Sequence, residues 1–301
     1  MSSAITDQTE KTQGALPPSL HSVRSAAPLT ALRFVVKRNP PAAALVFLFL
    51  VAAVLGPLIA PHSQSAVNVA IRLQGPSAAH WLGTDDYGRD LFSRILGACQ
   101  VAGEAAGIVI LIGGSIGTVL GTVAGGIAGA ADAFISRVIE IIQGFPIILL
   151  AIALVTILGP SLPHAMLAVG IGSIPDFARV ARSVGVQLRD REFVQAARGA
   201  GAGRIRILRR EVMPNMLGSL LVIASFDAAQ AIMYESTLSF LGLGVQPPAA
   251  SFGGMLSEAK SYIAIQPWYS IIVGVALALV ILGLNLFGDS LSDYFELAGS
   301  R

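Results

Sequence analysis

The sequence of 301 residues is 54% hydrophobic and only 13% charged, with a formal net charge of +2, so it carries more apolar surface than one soluble core can bury. The single Cys99 excludes an internal disulfide framework, and His21, His62, His80 and His164 are too scattered along the chain to suggest a metal site. The class that remains is an all-α integral membrane protein.

Residues 1–38 contain Ser, Thr, Gln and Pro with no apolar core of their own and read as a mobile tail. Six apolar runs follow, near 42–60, 102–131, 138–159, 164–186, 217–243 and 269–288, each with roughly the 20 residues a helix needs to cross about 30 Å of hydrocarbon. Their lack of period-2 alternation favours helices over a closed barrel. The first run starts too late for a signal peptide and is long enough to span. The division expected is a tail at 1–38, a first helix and extracytoplasmic segment at 39–100, a five-helix core at 101–290, and a C-terminal tail at 291–301.

Basic residues set the orientation. Arg24, Arg33, Lys37 and Arg38 precede the first span, Arg137 lies between the second and third, and Arg179 to Arg210 cluster between the fourth and fifth. These loops share one side, so both termini are expected to be cytoplasmic. Segments 61–100 and 244–268 and the turn at 159–163 fall outside, with Arg72, Arg89 and Arg94 of the first balanced by Asp85, Asp86 and Asp90.

In the second span Gly113, Gly117, Gly121, Gly125 and Gly129 recur at every fourth position, a small-residue stripe that predicts close helix packing, within the chain before between subunits. Pro146 and Pro175 remove backbone donors and are expected to kink their helices. Glu104 and Glu140 lie near span ends and read as structural. Asp227 and Glu235 lie deeper, and their eight-residue separation sets them about 80° apart around one helix. They could line a translocation path or hydrogen-bond a neighbouring helix.

The loop at 188–215 carries seven arginines. Asp190 and Glu192 complement the positive start of a helix, Arg198 its finish, and Gly199 and Gly201 stop it. Phe193, Ala196, Ala197 and Ala200 make a narrow apolar face at i, i+3, i+4 and i+7. Such a face seats in a groove on another protein, with Phe193 as anchor. Lipid headgroups would suit the arginines alone, but alanine anchors poorly in a membrane, which favours the protein groove.

Gln195-Ala196-Ala197, Gly201 and Val212-Met213-Pro214-Asn215 resemble the cytoplasmic EAA motif of ABC-importer permeases, with Gln in place of the leading Glu. From the first span onward the chain is similar to the second permease subunit of the dipeptide/oligopeptide/nickel group. The run from His80-Trp81-Leu82-Gly83-Thr84-Asp85 to Arg94 resembles that group's external signature, and Leu238 to Pro248 and Phe287-Gly288-Asp289 resemble its later segments. By itself the external run reads as capping and turn structure, without the ligand spacing of a calcium loop.

The resemblance implies a type I ABC importer permease fold of six transmembrane helices. It also implies a homologous permease subunit as heterodimer partner, cytoplasmic ABC ATPase subunits and an extracytoplasmic solute-binding protein. Membrane lipid surrounds the assembly, and nucleic acid is not a partner. The residues expected to couple to the ATPases are Glu192, Phe193, Gln195, Ala196, Ala197, Gly201 and Pro214. No phosphate-binding Gly-x4-Gly-Lys motif occurs, and Lys11, Lys37 and Lys260 are the only lysines, so the chain is expected to be no enzyme and to hold no cofactor. ATP and Mg belong to the partner ATPases. The function implied is uptake of short peptides across the cytoplasmic membrane of a bacterium. Nickel chelates or glutathione are alternative cargoes, and a proton-coupled secondary transporter using Asp227 and Glu235 is the rival mechanism.

Overall fold

The computed structural model of the chain describes residues 28–127 and 129–299. Among them the regular elements are helices, with a single bridge between Thr84 and Asp90. The first is α1 (Pro28–Arg38), in a stretch the composition assigns to the tail. Ala31 and Val35 of α1 are buried against Leu291 near the C-terminal end, and that contact orders a segment too short to read as a helix alone. His21 and Arg24 lie outside the described residues.

Helix α2 (Pro40–Ile59) opens on Asn39, whose side chain accepts from Ala42 N at 3.3 Å, the usual device for satisfying a free first-turn donor. Helix α3 (Leu91–Val109) continues through a π turn at Ile110–Gly114 into α4 (Ser115–Ile127). After α5 (Ala130–Gln143) and α6 (Ile147–Leu158) comes α7 (Leu162–Arg189), which runs through Pro175 as one helix. The basic loop folds as α8 (Glu192–Gly199) and α9 (Arg204–Ile207), then a π turn at Leu208–Val212 leads into α10 (Met213–Phe240). Pro214 lacks an N–H for the preceding turn, which accounts for the widened turn just before it. Last come α11 (Phe252–Ala259) and α12 (Pro267–Gly299), the latter extending helix through the expected C-terminal tail as far as Gly299.

Among the described residues four continuous stretches are long and apolar enough to cross a membrane: Pro40–Ile59, Leu91–Gly126, Ile205–Phe240 and Pro267–Leu297. The run expected as the third span is not straight. Helices α5 and α6 meet at 78° and make a fifth candidate only as a bent pair, because Pro146 fixes its own φ and disfavours helix at Phe145. Helix α7 has the length, at 28 residues, but not the uniform apolarity. It packs against α3, α4, α5, α6 and α10, and its charges are paired, Asp176 with Arg179 at 2.7 Å and Arg182 with Asp132 of α5 at 2.6 Å, as charges within a membrane-spanning bundle generally are.

The glycine stripe explains the closest of these contacts. A Cβ on Gly117 or Gly125 would stand 2.5 Å from the carbonyl oxygen of Ile174 or Arg182, and one on Gly121 would overlap the Ala178 carbonyl. Helix α4 therefore lies backbone to backbone along α7, the intrachain packing the small-residue spacing predicts. Gly129 does not join: a Cβ there would meet nothing, and its φ of +80° instead turns the chain into α5.

Candidate functional site

The described residues gather polar chemistry at the two ends of the bundle and at one depth between them. One end holds α8. Residue Val194 is fully buried in a small cluster with Ala181 of α7, Ile207 of α9, Val212 of the π turn and Met216 at the start of α10. That single anchor turns the other face outward: Glu192, Phe193, Gln195, Ala196 and Arg198 are exposed and Ala197 is half-buried. Phe193 thus points away from its own chain, as an external anchor would. Gly201 ends the helix at φ +80°, with Ala202 N donating to Ala197 O at 3.0 Å and Gly201 N to Arg198 O at 2.9 Å. This closure needs a left-handed residue and glycine adopts it without strain. Arg206, Arg209 and Arg210 are exposed beside it. Pro214 is half-buried at the start of α10, outside α8 itself. Sequence periodicity missed Val194, which lies off the alanine face; its apolar side chain beside Leu188 and Ile207 was the available signal.

At the opposite end the 61–90 segment and α11 are riveted by charge. Asp85 is fully buried and accepts from Tyr87 N and Arg89 N, both at 2.8 Å, and from Arg89 Nε at 2.5 Å. Arg94 Nε lies 3.3 Å from the same carboxylate. Arg89 and Arg94 also donate to Glu258 Oε2 on α11, at 2.9 and 3.1 Å, and the buried Tyr269 hydroxyl donates to that oxygen at 3.0 Å. Asp86 sits 3.9 Å from Arg89. Its carboxyl is pushed above the usual range by burial and by the neighbouring Glu258 and Asp85 charges. Glu258 and Tyr269 were not singled out in the sequence, since pairing across 164 residues leaves no local pattern.

Beside this cluster, Asp90 caps α3 by accepting from Ser93 N at 2.8 Å and Ser93 Oγ at 2.7 Å. Its other oxygen faces His80 Nδ1 at 2.9 Å and His62 Nδ1 at 3.9 Å. Burial opposes the charge on Asp90, but the bonds from Ser93 and His80 hold its carboxyl below the usual range. The histidines are thus not all scattered: the His62 and His80 rings stand 4.8 Å apart, whereas His164 is bonded to Gly159 O elsewhere.

Between the ends, α10 carries both deep acids. Glu235, 1% exposed, accepts from Ser239 Oγ at 2.6 Å and Ser236 Oγ at 3.3 Å. Asp227, 8% exposed, faces Ser173 of α7, with Oδ2 unpartnered. Glu140 is exposed near the end of α5 and bonded to Arg137, whereas Glu104, exposed and bonded to Gln100, lies well inside the Leu91–Gly126 stretch and not at a span end, because that helix starts earlier than the apolar run suggests.

The comparisons with known proteins fall on this framework. The family model described as "Binding-protein-dependent transport system inner membrane component" matches residues 117–298. The chain is 41% identical over 254 residues to the "Probable D,D-dipeptide transport system permease protein DdpC" of Escherichia coli (strain K12), covering 84% of this chain and 85% of that protein. It is 38% identical to the "Dipeptide transport system permease protein DppC" of Alkalihalophilus pseudofirmus, covering 82% of each. It is 39% identical to the "Glutathione transport system permease protein GsiD" of Escherichia coli O6:K15:H31, covering 85% of this chain and 84% of that one. Among solved structures, a chain of the inward-facing MetNI methionine ABC transporter shares the fold, with a TM-score of 0.52 at 20% identity over 66% of this chain and 93% of that one. With the family matched over most of the helical core and relatives aligned along more than four-fifths of its length, the chain belongs to the binding-protein-dependent transport inner membrane components, the multi-pass permease subunits of ABC importers.

Proposed function

We propose that this chain is the permease subunit through which an ATP-driven importer passes short peptides across the cytoplasmic membrane, with α8 as the element that receives force. The observation that carries the reading is α8 itself. One buried side chain, Val194, holds it to the bundle, while Phe193, Gln195 and Ala196 stand exposed. A short helix presented that way is built for a groove in a partner. The peptide cargo rests on the dipeptide permeases among the relatives; the glutathione permease, of similar identity, keeps glutathione as the second cargo.

In this reading six segments cross the membrane: α2, α3 with α4, the bent pair α5 and α6, α7, α10 and α12. Both termini and α8 face the cytoplasm. A homologous permease completes the pathway, ATPase subunits with ATP and Mg bind beneath α8, and a solute-binding protein delivers cargo at the Glu258 end. Glu192, Phe193, Gln195, Ala196, Ala197 and Gly201 make or shape the ATPase contact, and Pro214 sets how α10 leaves it. Closure of the ATPases moves α8 as a rigid body, and the α7–α4 contact carries that motion into the bundle.

The test uses the one native thiol. Cys99 is buried, so Ala196→Cys introduces the reactive one. In proteoliposomes holding the whole transporter, the thiol introduced by Ala196→Cys is expected to crosslink to an ATPase subunit. Ala197→Arg is expected to abolish ATP-dependent peptide uptake while the subunits still co-purify. Uptake by this chain without ATPase, or labelling of that introduced thiol only from the periplasmic side, would overturn the reading.

A further inference from the structure

The sequence spreads four histidines over the chain, yet folding brings two of them to one oxygen of Asp90. We propose that His62, His80 and Asp90 form a site for one divalent transition metal ion of the zinc type, at the end of the bundle opposite α8. His62 lies three residues past α2, His80 two-thirds of the way along the 61–90 segment, and Asp90 caps α3, so the ion would clip the ends of that segment together.

Geometry carries the argument. Three donors bound to zinc at about 2.0–2.2 Å in a tetrahedral arrangement lie about 3.3 Å apart. Here His80 Nδ1 and His62 Nδ1 stand 2.9 and 3.9 Å from Asp90 Oδ1, and the ligand atoms of all three residues lie within 4.8 Å of one another. A small rotation of the half-exposed His62 ring closes the set. An ordinary hydrogen bond explains His80, but not His62, whose nitrogen is too far from the same oxygen to bond it.

The surroundings hold the donors in place. Ser93 occupies Asp90 Oδ2 and leaves Oδ1 to the imidazoles. The backbone of His62 donates to Ser93 Oγ at 3.2 Å and that of His80 to Ser77 Oγ at 3.0 Å. Such outer contacts orient metal ligands. Side-chain exposure grades from 2% at Asp90 through 16% at His80 to 42% at His62, which gives the ion an entry path and a position for water as fourth ligand. The neighbouring trio of Asp85, Asp86 and Glu258 makes a contrast, because its carboxylates already face the guanidiniums of Arg89 and Arg94. Two imidazoles and one carboxylate are the ligand set that borderline-soft ions prefer over calcium or magnesium.

The test needs no transport and is therefore separate from the importer reading. The full chain, purified without a polyhistidine tag together with its co-purifying subunits and stripped with EDTA, is titrated with Zn2+ by calorimetry and with Co2+ by visible absorption. One Zn2+ per chain is expected, with a tetrahedral Co2+ spectrum that Zn2+ displaces. His62→Ala should weaken Zn2+ binding at least tenfold, and His62→Cys should restore it and add a thiolate-to-cobalt band. His21→Ala and His164→Ala should change nothing. Because His62 is half-exposed, its replacement leaves the fold intact, which thermal unfolding checks: Zn2+ should raise the melting temperature of the native chain and not of His62→Ala. Absence of saturable one-to-one binding, or equal binding by His62→Ala, would overturn the proposal.

Discussion

At the scale of single residues, the charge cluster at the end of the bundle opposite α8 is balanced by position rather than by count. Three carboxylates, Asp85, Asp86 and Glu258, face two guanidiniums, Arg89 and Arg94. Removing Glu258 leaves Arg94, 2% exposed at its side chain, with Asp85 alone, and stranding a buried charge costs about 3–5 kcal/mol. Glu258 is itself a quarter exposed, so Glu258→Gln should lose about 3 kcal/mol, at the lower end. Asp86→Asn should act the other way. A raised carboxyl pKa means that the folded chain holds the proton more tightly than the unfolded one, so Asp86 subtracts stability as pH climbs through the carboxylate range. The asparagine should therefore melt higher than the native chain at pH 7, by a few degrees, with the gain vanishing near pH 3, below the ordinary value of 3.8. Thermal unfolding of both variants across pH in detergent checks the pair. A native chain that gains on Asp86→Asn as pH rises would contradict the assigned excess of negative charge.

At the scale of elements, the α4–α7 contact depends on the absence of side chains. Gly121→Ala would drive a methyl into the Ala178 carbonyl, whereas Gly107→Ala on α3 meets nothing within 4 Å. Overpacking of this kind costs about 1–3 kcal/mol. The first variant should show that loss in thermal unfolding and the second almost none, although both are the same substitution in neighbouring helices. Here the sequence was legible, because a strict four-residue spacing of glycines has few explanations besides a close helix contact. The same is true of the end of α8, where Gly199 and Gly201 announce a stop and Gly201 makes it. Other elements were hidden for physical reasons. The pairing of Arg182 on α7 with Asp132 on α5, 50 residues apart, leaves no local pattern. Helix α1 draws its order from α12, at the far end of the chain. The break at Pro146 could be read as a kink, but its angle of 78° depends on what α5 and α6 pack against. His62 and His80 are 18 residues apart in sequence, and nothing in that spacing shows them meeting across Asp90.

At the scale of the whole molecule, the question is whether the deep acids on α10 move protons or hold helices. Glu235 is satisfied by its own helix through Ser236 and Ser239, and Ser239 Oγ in turn accepts from Val245 N at 3.1 Å. That chain of bonds fastens the end of α10 to the segment leading to α11, a structural task. Asp227 differs, since it reaches toward Ser173 of α7 and keeps one oxygen without a partner. It lies where α10 meets the helix that α4 grips and that leads into α8, so any shift of α8 would be felt there. An ATP-driven importer needs no proton at this position, only a polar side chain that suits both arrangements of α7 and α10. Asp227→Asn should then retain ATP-dependent uptake within severalfold, with its pH dependence unchanged, while Glu235→Ala should lower the yield of assembled transporter by releasing Ser239. A secondary carrier predicts the reverse for Asp227: uptake driven by a proton gradient in the native protein and lost in the asparagine variant. Measuring uptake in proteoliposomes with ATP alone, a pH gradient alone, and both separates the two mechanisms. Gradient-driven uptake that disappears with Asp227→Asn would place the energy source in this chain, and ATP dependence that survives the substitution would place it in partner ATPases.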